Sequence, residues 1–340
     1  MPKNITLRVN SPPVPPPNQL SIIRAIASQK CKEVFGVDPK PEQLQVIESI
    51  ALKRDCVLIA GTGWGKTLVY FLPLVLWPNT VLLIITPLQS LGQEQQEKLE
   101  SCNIPAINLV GQEKFDTHRL ANGEYRAVFA CPESVIGSRF KRLWESPQWN
   151  SRLQAVVIDE VHCVGTWGAK FRKDYDNLGQ LRTWTRINTP FLAVSATLPP
   201  TLLKKVVSSL SLKNPTIVNV GNDRPNIKYS VIKMRHPASS FKDLDFLTDR
   251  LKTIIYFQHK ETLEQAGHYL RGLLGNDRDR VTVYHSSKSD PTKELRLKAF
   301  RENKFDILLS TEAAGMGCDI PDIVRVIHVV YSSRVSLIDW

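Results

Sequence analysis

Two segments hold residues whose types and spacing suit the handling of a nucleoside triphosphate. The first is AGTGWGKT, residues 60–67. Backbone N–H groups can wrap a phosphate only where side chains leave room, and Gly61, Gly63 and Gly65 leave it. Thr62 completes the loop, Lys66 supplies a cation to the β- and γ-phosphates, and the Thr67 hydroxyl can ligate Mg2+. The strict pattern G-x-x-x-x-G-K-S/T would begin with glycine; Ala60 stands there and is small enough to keep the turn tight. Trp64 is bulky for such a loop and is expected to point outward. The second segment is VVIDEVH, residues 156–162. An apolar strand ending in Asp159 sets a carboxylate where it can hold Mg2+ through water, and Glu160 beside it can orient and deprotonate an attacking water. An acidic pair alone is an ordinary surface feature; the upstream glycine loop gives this one its meaning.

Both segments need a strand to present them. CVLIA (56–60) and AVVID (155–159) are short, apolar and β-branched, as buried strands are. VLLIIT (81–86), AVFAC (127–131) and FLAVSA (191–196) read the same way, with amphipathic helical stretches between. This alternation predicts an α/β fold with a parallel sheet flanked by helices. Residues 214–227 gather turn formers and read as a connector. A second alternation follows, with strands expected at YSVIKM (229–234), TIIYF (253–257), VTVYH (281–285), DILLST (306–311) and VRVIHVV (324–330). Between them, Leu263, Ala266, Leu270 and Leu273 share one helical face, and a second helix carries Leu297 and Phe300. The organisation expected is a Pro-rich disordered arm over 1–18, a first α/β domain over 19–215 and a second over 216–340.

Composition narrows the class. A chain of 340 residues with 42% hydrophobic content can bury two cores. Lys+Arg 44 against Asp+Glu 33 gives a net charge of +11, which favours a polyanionic partner. The excess is spread out, with more of it before residue 220. Six cysteines stand singly, without a Cys-x-x-Cys pair, which excludes a zinc ribbon and fits a reducing compartment. The N-terminal residues lack the apolar core of a signal peptide, and the most apolar runs are too short or interrupted to span a membrane. An intracellular location is expected.

Further motifs, taken in order, resemble superfamily 2 helicases and, within them, the RecQ family of DNA helicases. D-E-V-H (159–162) and S-A-T (195–197) follow the glycine loop in helicase order. HCVGTWGAKFRKDY (162–175) is similar to the RecQ aromatic-rich loop, matching it at His162, Cys163, Trp167, Gly168, Phe171, Arg172 and Tyr175. FGVDPKPEQ (35–43) resembles the family's adenine-reading motif, with Gln43 as its amide and Lys40 where arginine is common. TPLQSLGQEQ (86–95), ACPES (130–134), DRPNI (223–227) and IIYFQHKETLEQ (254–265) occupy further motif positions. STEAAGMGCDIPDI (310–323) is similar to motif V, with Ala314 and Asp319 departing from the usual pattern.

The resemblance covers roughly residues 20–340 and implies two RecA-like P-loop domains. It implies ATP and Mg2+ as cofactors, with ATP between the lobes and a DNA strand crossing both. Residue by residue, it assigns ATP contacts to Gln43, Gly61, Thr62, Gly63, Gly65, Lys66, Thr67 and Asp319. Coupling falls to His162 with Ser195 and Thr197, and DNA contacts to Trp167, Phe171, Arg172 and Thr311. Trp167 and Phe171, flanked by Lys170, Arg172 and Lys173, suit stacking on a single strand held by backbone charges. The role of His285 stays open between a structural contact and a nucleic-acid contact. The implied activity is an ATP-dependent 3′–5′ DNA helicase acting in recombination or repair on single-stranded and 3′-tailed DNA, nuclear if the source is eukaryotic. The family's motif VI, with its arginine finger, is expected after VRVIHVV; the sequence reads YSSRVSLIDW and stops. The resemblance therefore also leaves open an ATP-gated nucleic-acid-binding module that does not unwind. An RNA helicase of the DExH type is disfavoured by the aromatic-rich loop.

Overall fold

The computed structural model describes residues 17–87, 89–112, 114–164, 173–311, 320 and 322–329. Trp167, Phe171, Arg172, Asp319 and nearly all of the Pro-rich arm lie outside the described residues. The chain divides into two units between Arg224 and Pro225.

The first unit opens with two helices, α1 (Pro17–Phe35) and α2 (Pro41–Ala51), so regular structure begins inside the segment expected to be a disordered arm. Then come β1 (Cys56–Ala60) and helix α3 (Leu68–Leu76), which leaves the glycine loop between them. The remaining strands are β2 (Val81–Ile85), β3 (Ala106–Asn108), β4 (Ala127–Ala130), β5 (Leu153–Ile158), β6 (Phe191–Ser195) and β7 (Thr216–Gly221). They form a parallel sheet of order β3-β4-β2-β5-β6-β1-β7 among the described residues. The strands read as unbroken apolar runs because both sheet faces are covered. In β2, Val81, Leu83 and Ile85 join the core on one face, with Phe140, Trp149 and Phe191. Leu82 and Ile84 join the core on the other face, with Val46, Tyr70 and Leu74.

One expectation is corrected here. Residues 216–221 are not a connector at the head of the second domain; they form β7, paired in parallel with β1, with Cys56 opposite Thr216. Only Val218 of this strand is buried. An edge strand exposed along most of its length has no apolar run to announce it, and its backbone bonds to β1 place it in the first unit.

The second unit holds β8 (Thr253–Phe257), β9 (Val281–Tyr284), β10 (Ile307–Ser310) and β11 (Arg325–Val329) in the parallel order β11-β8-β10-β9 among the described residues. Helix Lys260–Leu274 buries Leu263, Ala266, Gly267 and Leu270. Leu273, expected on that face, is 38% exposed, because it sits in the last turn beyond the sheet contact. Helix Asp290–Arg301 buries Phe300 completely. The strand expected over 229–234 is absent: this segment is irregular, and Tyr229, Val231 and Ile232 are exposed. Its alternation mimics a strand, but among the described residues it pairs with no neighbour, and a strand exists only by pairing.

Candidate active site

In a parallel sheet the loops after the strands gather at one edge, so neighbouring strands bring their C-terminal residues together. β1 ends in the glycine loop, β5 ends just before Asp159, and β6, which lies between them, ends at Ser195. Three segments far apart in sequence therefore meet for topological reasons.

The loop depends on two glycines. Gly63 has φ +78° and Gly65 φ +99°, a left-handed backbone that other residues adopt at a cost. A Cβ on Gly65 would also stand 3.0 Å from the Gln43 amide nitrogen. Lys66 donates to the carbonyls of Ala60 at 3.0 Å and Gly61 at 3.3 Å, which holds its ammonium inside the loop. Thr67 caps the start of α3, and its carbonyl accepts from the Tyr70 and Phe71 N–H groups at 3.2 Å. Arg224 reaches over the loop to the Thr62 carbonyl at 3.1 Å.

The acidic side is buried. Asp159 is 5% exposed. Its Oδ1 accepts from the Glu160 N–H at 3.0 Å, and its carbonyl accepts from the Tyr175 hydroxyl at 3.2 Å. Burial, reinforced by the neighbouring Glu160 charge, pushes the Asp159 carboxyl up to about 7. A carboxylate this costly to ionise is one that a hard cation would stabilise, and with the Thr67 hydroxyl it offers the all-oxygen donor set that Mg2+ prefers. Among the described residues, no group of three or more His, Cys, Asp or Glu side chains forms a self-contained metal cage. The remaining Mg2+ ligands would be phosphate and water oxygens.

Glu160 has φ +49°, a left-handed backbone carried by a non-glycine residue at the end of β5. Burial works against its charge, but His162 and Lys66 outweigh burial and hold its carboxyl below the ordinary range. The His162 Nδ1 lies 3.1 Å from the Glu160 carboxylate and 3.1 Å from the Ser195 hydroxyl. Burial opposes a charged imidazole; the contacts with Cys163 and Glu160 overcome it and raise His162 to about 10. The cationic ring therefore donates, and Glu160 and Ser195 accept. Ser195 in turn donates to the Thr197 carbonyl at 3.1 Å and accepts from the Thr197 N–H at 3.3 Å. Thr197 thus meets His162 through Ser195, by its backbone carbonyl and N–H.

Gln43 is 3% exposed, with both halves of its amide engaged. Oε1 accepts from the Lys40 N–H at 2.7 Å, and Nε2 donates to the Gly65 carbonyl at 3.0 Å. The first bond is half of a capping box, since Gln43 is the third residue of α2. Trp64 does not point outward as expected. It packs against the core that holds Val46 and Tyr70, and the Lys40 ammonium lies 4.9 Å from its ring centroid. A flat indole that can pack sideways on apolar neighbours satisfies the loop without blocking it.

Thr311 follows β10 in the second unit. His285 directly follows β9 and is buried, with Nε2 2.9 Å from Glu264, whose carboxylate also meets Lys288 at 2.8 Å. Residue type alone assigns no part in this site to Tyr175 or Arg224. Tyr175 lies within HCVGTWGAKFRKDY and Arg224 within DRPNI, so position in a motif is the signal for both.

Known proteins match both units. Residues 40–206 match the family described as DEAD/DEAH box helicase, and residues 240–337 match the helicase conserved C-terminal domain. The ATP-dependent helicase wrn-1 of Caenorhabditis elegans is 30% identical over 300 residues, covering 85% of this chain and 28% of that protein. The RecQ-like DNA helicase BLM of Xenopus laevis is 29% identical over 87% of this chain and 22% of its own length. The ATP-dependent DNA helicase RecQ of Pasteurella multocida is 27% identical over 87% of this chain and 46% of its own length. The chain thus spans less than half of each of these relatives. Among solved structures, the DUF1998 helicase MrfA bound to DNA and AMPPNP aligns with TM-score 0.71 at 18% identity, covering 90% of this chain and 46% of that one. The helicase Lhr of Mycobacterium smegmatis, bound to single-stranded DNA and AMP-PNP, aligns with TM-score 0.66 at 18% identity over 91% of this chain and 44% of that one. These two likenesses establish the fold, two RecA-like domains.

Proposed function

Because the chain belongs to the RecQ family of DEAD/DEAH box helicases, we propose that it is the motor portion of an ATP-dependent DNA helicase that moves 3′ to 5′ along single-stranded DNA. The observation that carries this reading is the hydrogen-bonded chain from Glu160 through His162 to Ser195, beside the glycine loop. Lys66 meets the β- and γ-phosphates, Gln43 meets adenine, and Glu160 holds the attacking water and takes its proton. Thr67 and Asp159 would hold Mg2+, which would supply neutralisation of the charge that develops on the phosphates. His162 and Ser195 transmit the state of this site to the strand, which Trp167, Phe171, Arg172 and Thr311 contact. Asp319 completes the nucleotide contacts. DNA is the partner, consistent with the net charge of +11. The setting is recombination or repair, in the nucleus of a eukaryotic source. No described helix is long and apolar enough to cross a membrane.

The reading is tested with duplexes carrying a 3′ or a 5′ single-stranded tail. ATP-dependent strand separation on the 3′-tailed duplex alone is expected, lost in Lys66→Ala. Separation of the 5′-tailed duplex at an equal rate would overturn the polarity. Separation without ATP would overturn the motor.

A further inference from the structure

We propose that Trp64 and Lys40 form a latch that fixes the polarity of the Gln43 amide, making them positioning residues for adenine selection. The proposal rests on the reading that this loop binds ATP and adds how the base is chosen.

The geometry involves three elements. Lys40 is the last residue before α2, and Trp64 sits inside the glycine loop. The Lys40 ammonium donates to the Trp64 carbonyl at 2.7 Å and lies 4.9 Å from the centroid of its ring. A hydrogen bond and a cation–π contact thus tie the loop to the start of the helix through one side chain. Trp64 is anchored from the other side by the apolar core and by its N–H, which donates to the Gly61 carbonyl at 3.2 Å. The peptide that follows Trp64 carries Gly65, whose carbonyl accepts from Gln43 Nε2 at 3.0 Å. Holding Trp64 therefore holds the Gly65 carbonyl against Gln43.

That contact decides which way round the amide stands. Oε1 faces a donor, the Lys40 N–H, and Nε2 faces an acceptor, the Gly65 carbonyl. Each amide end keeps a second bonding capacity, a lone pair on oxygen and an N–H on nitrogen. In this polarity the free pair matches adenine, which offers the N6 amino group as donor and N7 as acceptor. Guanine offers O6 and N7, both acceptors, so Oε1 would meet O6 with like polarity. Flipped, the amide would set Nε2 against the Lys40 N–H and Oε1 against the Gly65 carbonyl, and it would face adenine with like polarity at both contacts, whereas guanine meets one like-polarity contact in either orientation. A buried amide also loses both of its own bonds on that flip, so the latch favours adenine over guanine by making costly the one orientation that mismatches adenine twice. Releasing the Trp64–Lys40 contact frees the Gly65 carbonyl and lowers that cost.

The test measures displacement of a fluorescent ATP analogue from the full chain by ATP, by GTP and by inorganic triphosphate, in wild type and in Trp64→Leu, Lys40→Met and Trp64→Phe. Wild type is expected to prefer ATP over GTP. Trp64→Leu and Lys40→Met should each shrink that preference by about tenfold with triphosphate affinity unchanged, while Trp64→Phe retains it. Wild type without a purine preference, an undiminished preference in both disrupting variants, or equal losses for ATP, GTP and triphosphate would each overturn the latch. Failure of the ATP reading itself looks different: the analogue would bind Lys66→Ala as tightly as wild type.

Discussion

Both sheets tie down the N-terminal ends of their strands with charged pairs, at the edge opposite the strand ends that carry the motifs, but they do it at different depths. In the first unit, Asp55 directly precedes β1 and is 5% exposed. It accepts from the backbone N–H of Phe191 at 2.9 Å, where β6 begins, and from Lys213 at 2.7 Å, just before β7. It also pairs with Arg182, whose guanidinium lies 3.6 Å from the Phe191 ring centroid. One buried carboxylate thus staples the three neighbouring strands β1, β6 and β7. In the second unit the pairs are Arg280–Asp306 ahead of β9 and β10, Lys252–Asp322 ahead of β8, and Arg325–Asp249 at β11. Each has at least one partner more than a third exposed: Arg280 at 36%, Asp322 at 46% and Asp249 at 40%. The unit that holds the glycine loop and Glu160 is pinned internally, and the other is pinned at its surface. A site that must hold loop and carboxylates in register needs the stiffer support.

This contrast can be broken by mutation, with stability read from thermal or denaturant unfolding of each unit. Asp55→Ala should cost about 3–5 kcal/mol, because it leaves the Arg182 charge buried without its partner. Asp306→Ala should cost only about 1 kcal/mol, since Arg280 can turn to water. Arg325→Ala should cost about 0–1 kcal/mol for the same reason. A loss from Asp306→Ala as large as that from Asp55→Ala would erase the distinction between the two edges. The smallest effect is expected at Val231→Ser, within about 0.5 kcal/mol either way, since an exposed side chain of an irregular segment has little to lose. A cost of several kcal/mol there would mean that 229–234 is a packed strand after all.

The same contrast explains what could be read in advance. β1, β5 and β6 were legible because strands covered on both faces are continuous apolar runs, and the motifs sit directly at their ends. β7 was not, because an edge strand with one buried side chain, Val218, carries almost no hydrophobic signal. Residues 229–234 misled in the opposite direction: their alternation is real, but the pairing that would make a strand is absent among the described residues. Within the site, residue types and order pointed to Lys66, Thr67, Asp159, Glu160 and His162. The left-handed backbone at Glu160 and the inward packing of Trp64 are tertiary outcomes that no local pattern encodes. The position of Thr197 behind Ser195 is of the same kind.

The central claim is that Glu160 activates water for hydrolysis of ATP held at the glycine loop, under the control of a DNA strand. It is tested most directly by ATP turnover with and without single-stranded DNA, alongside nucleotide binding, in wild type and in Glu160→Gln. Wild-type turnover should rise on adding DNA. Glu160→Gln should keep ATP binding yet lose turnover by about 100-fold or more, the usual worth of a positioned general base. Turnover in Glu160→Gln equal to wild type, or wild-type turnover indifferent to DNA, would contradict the account.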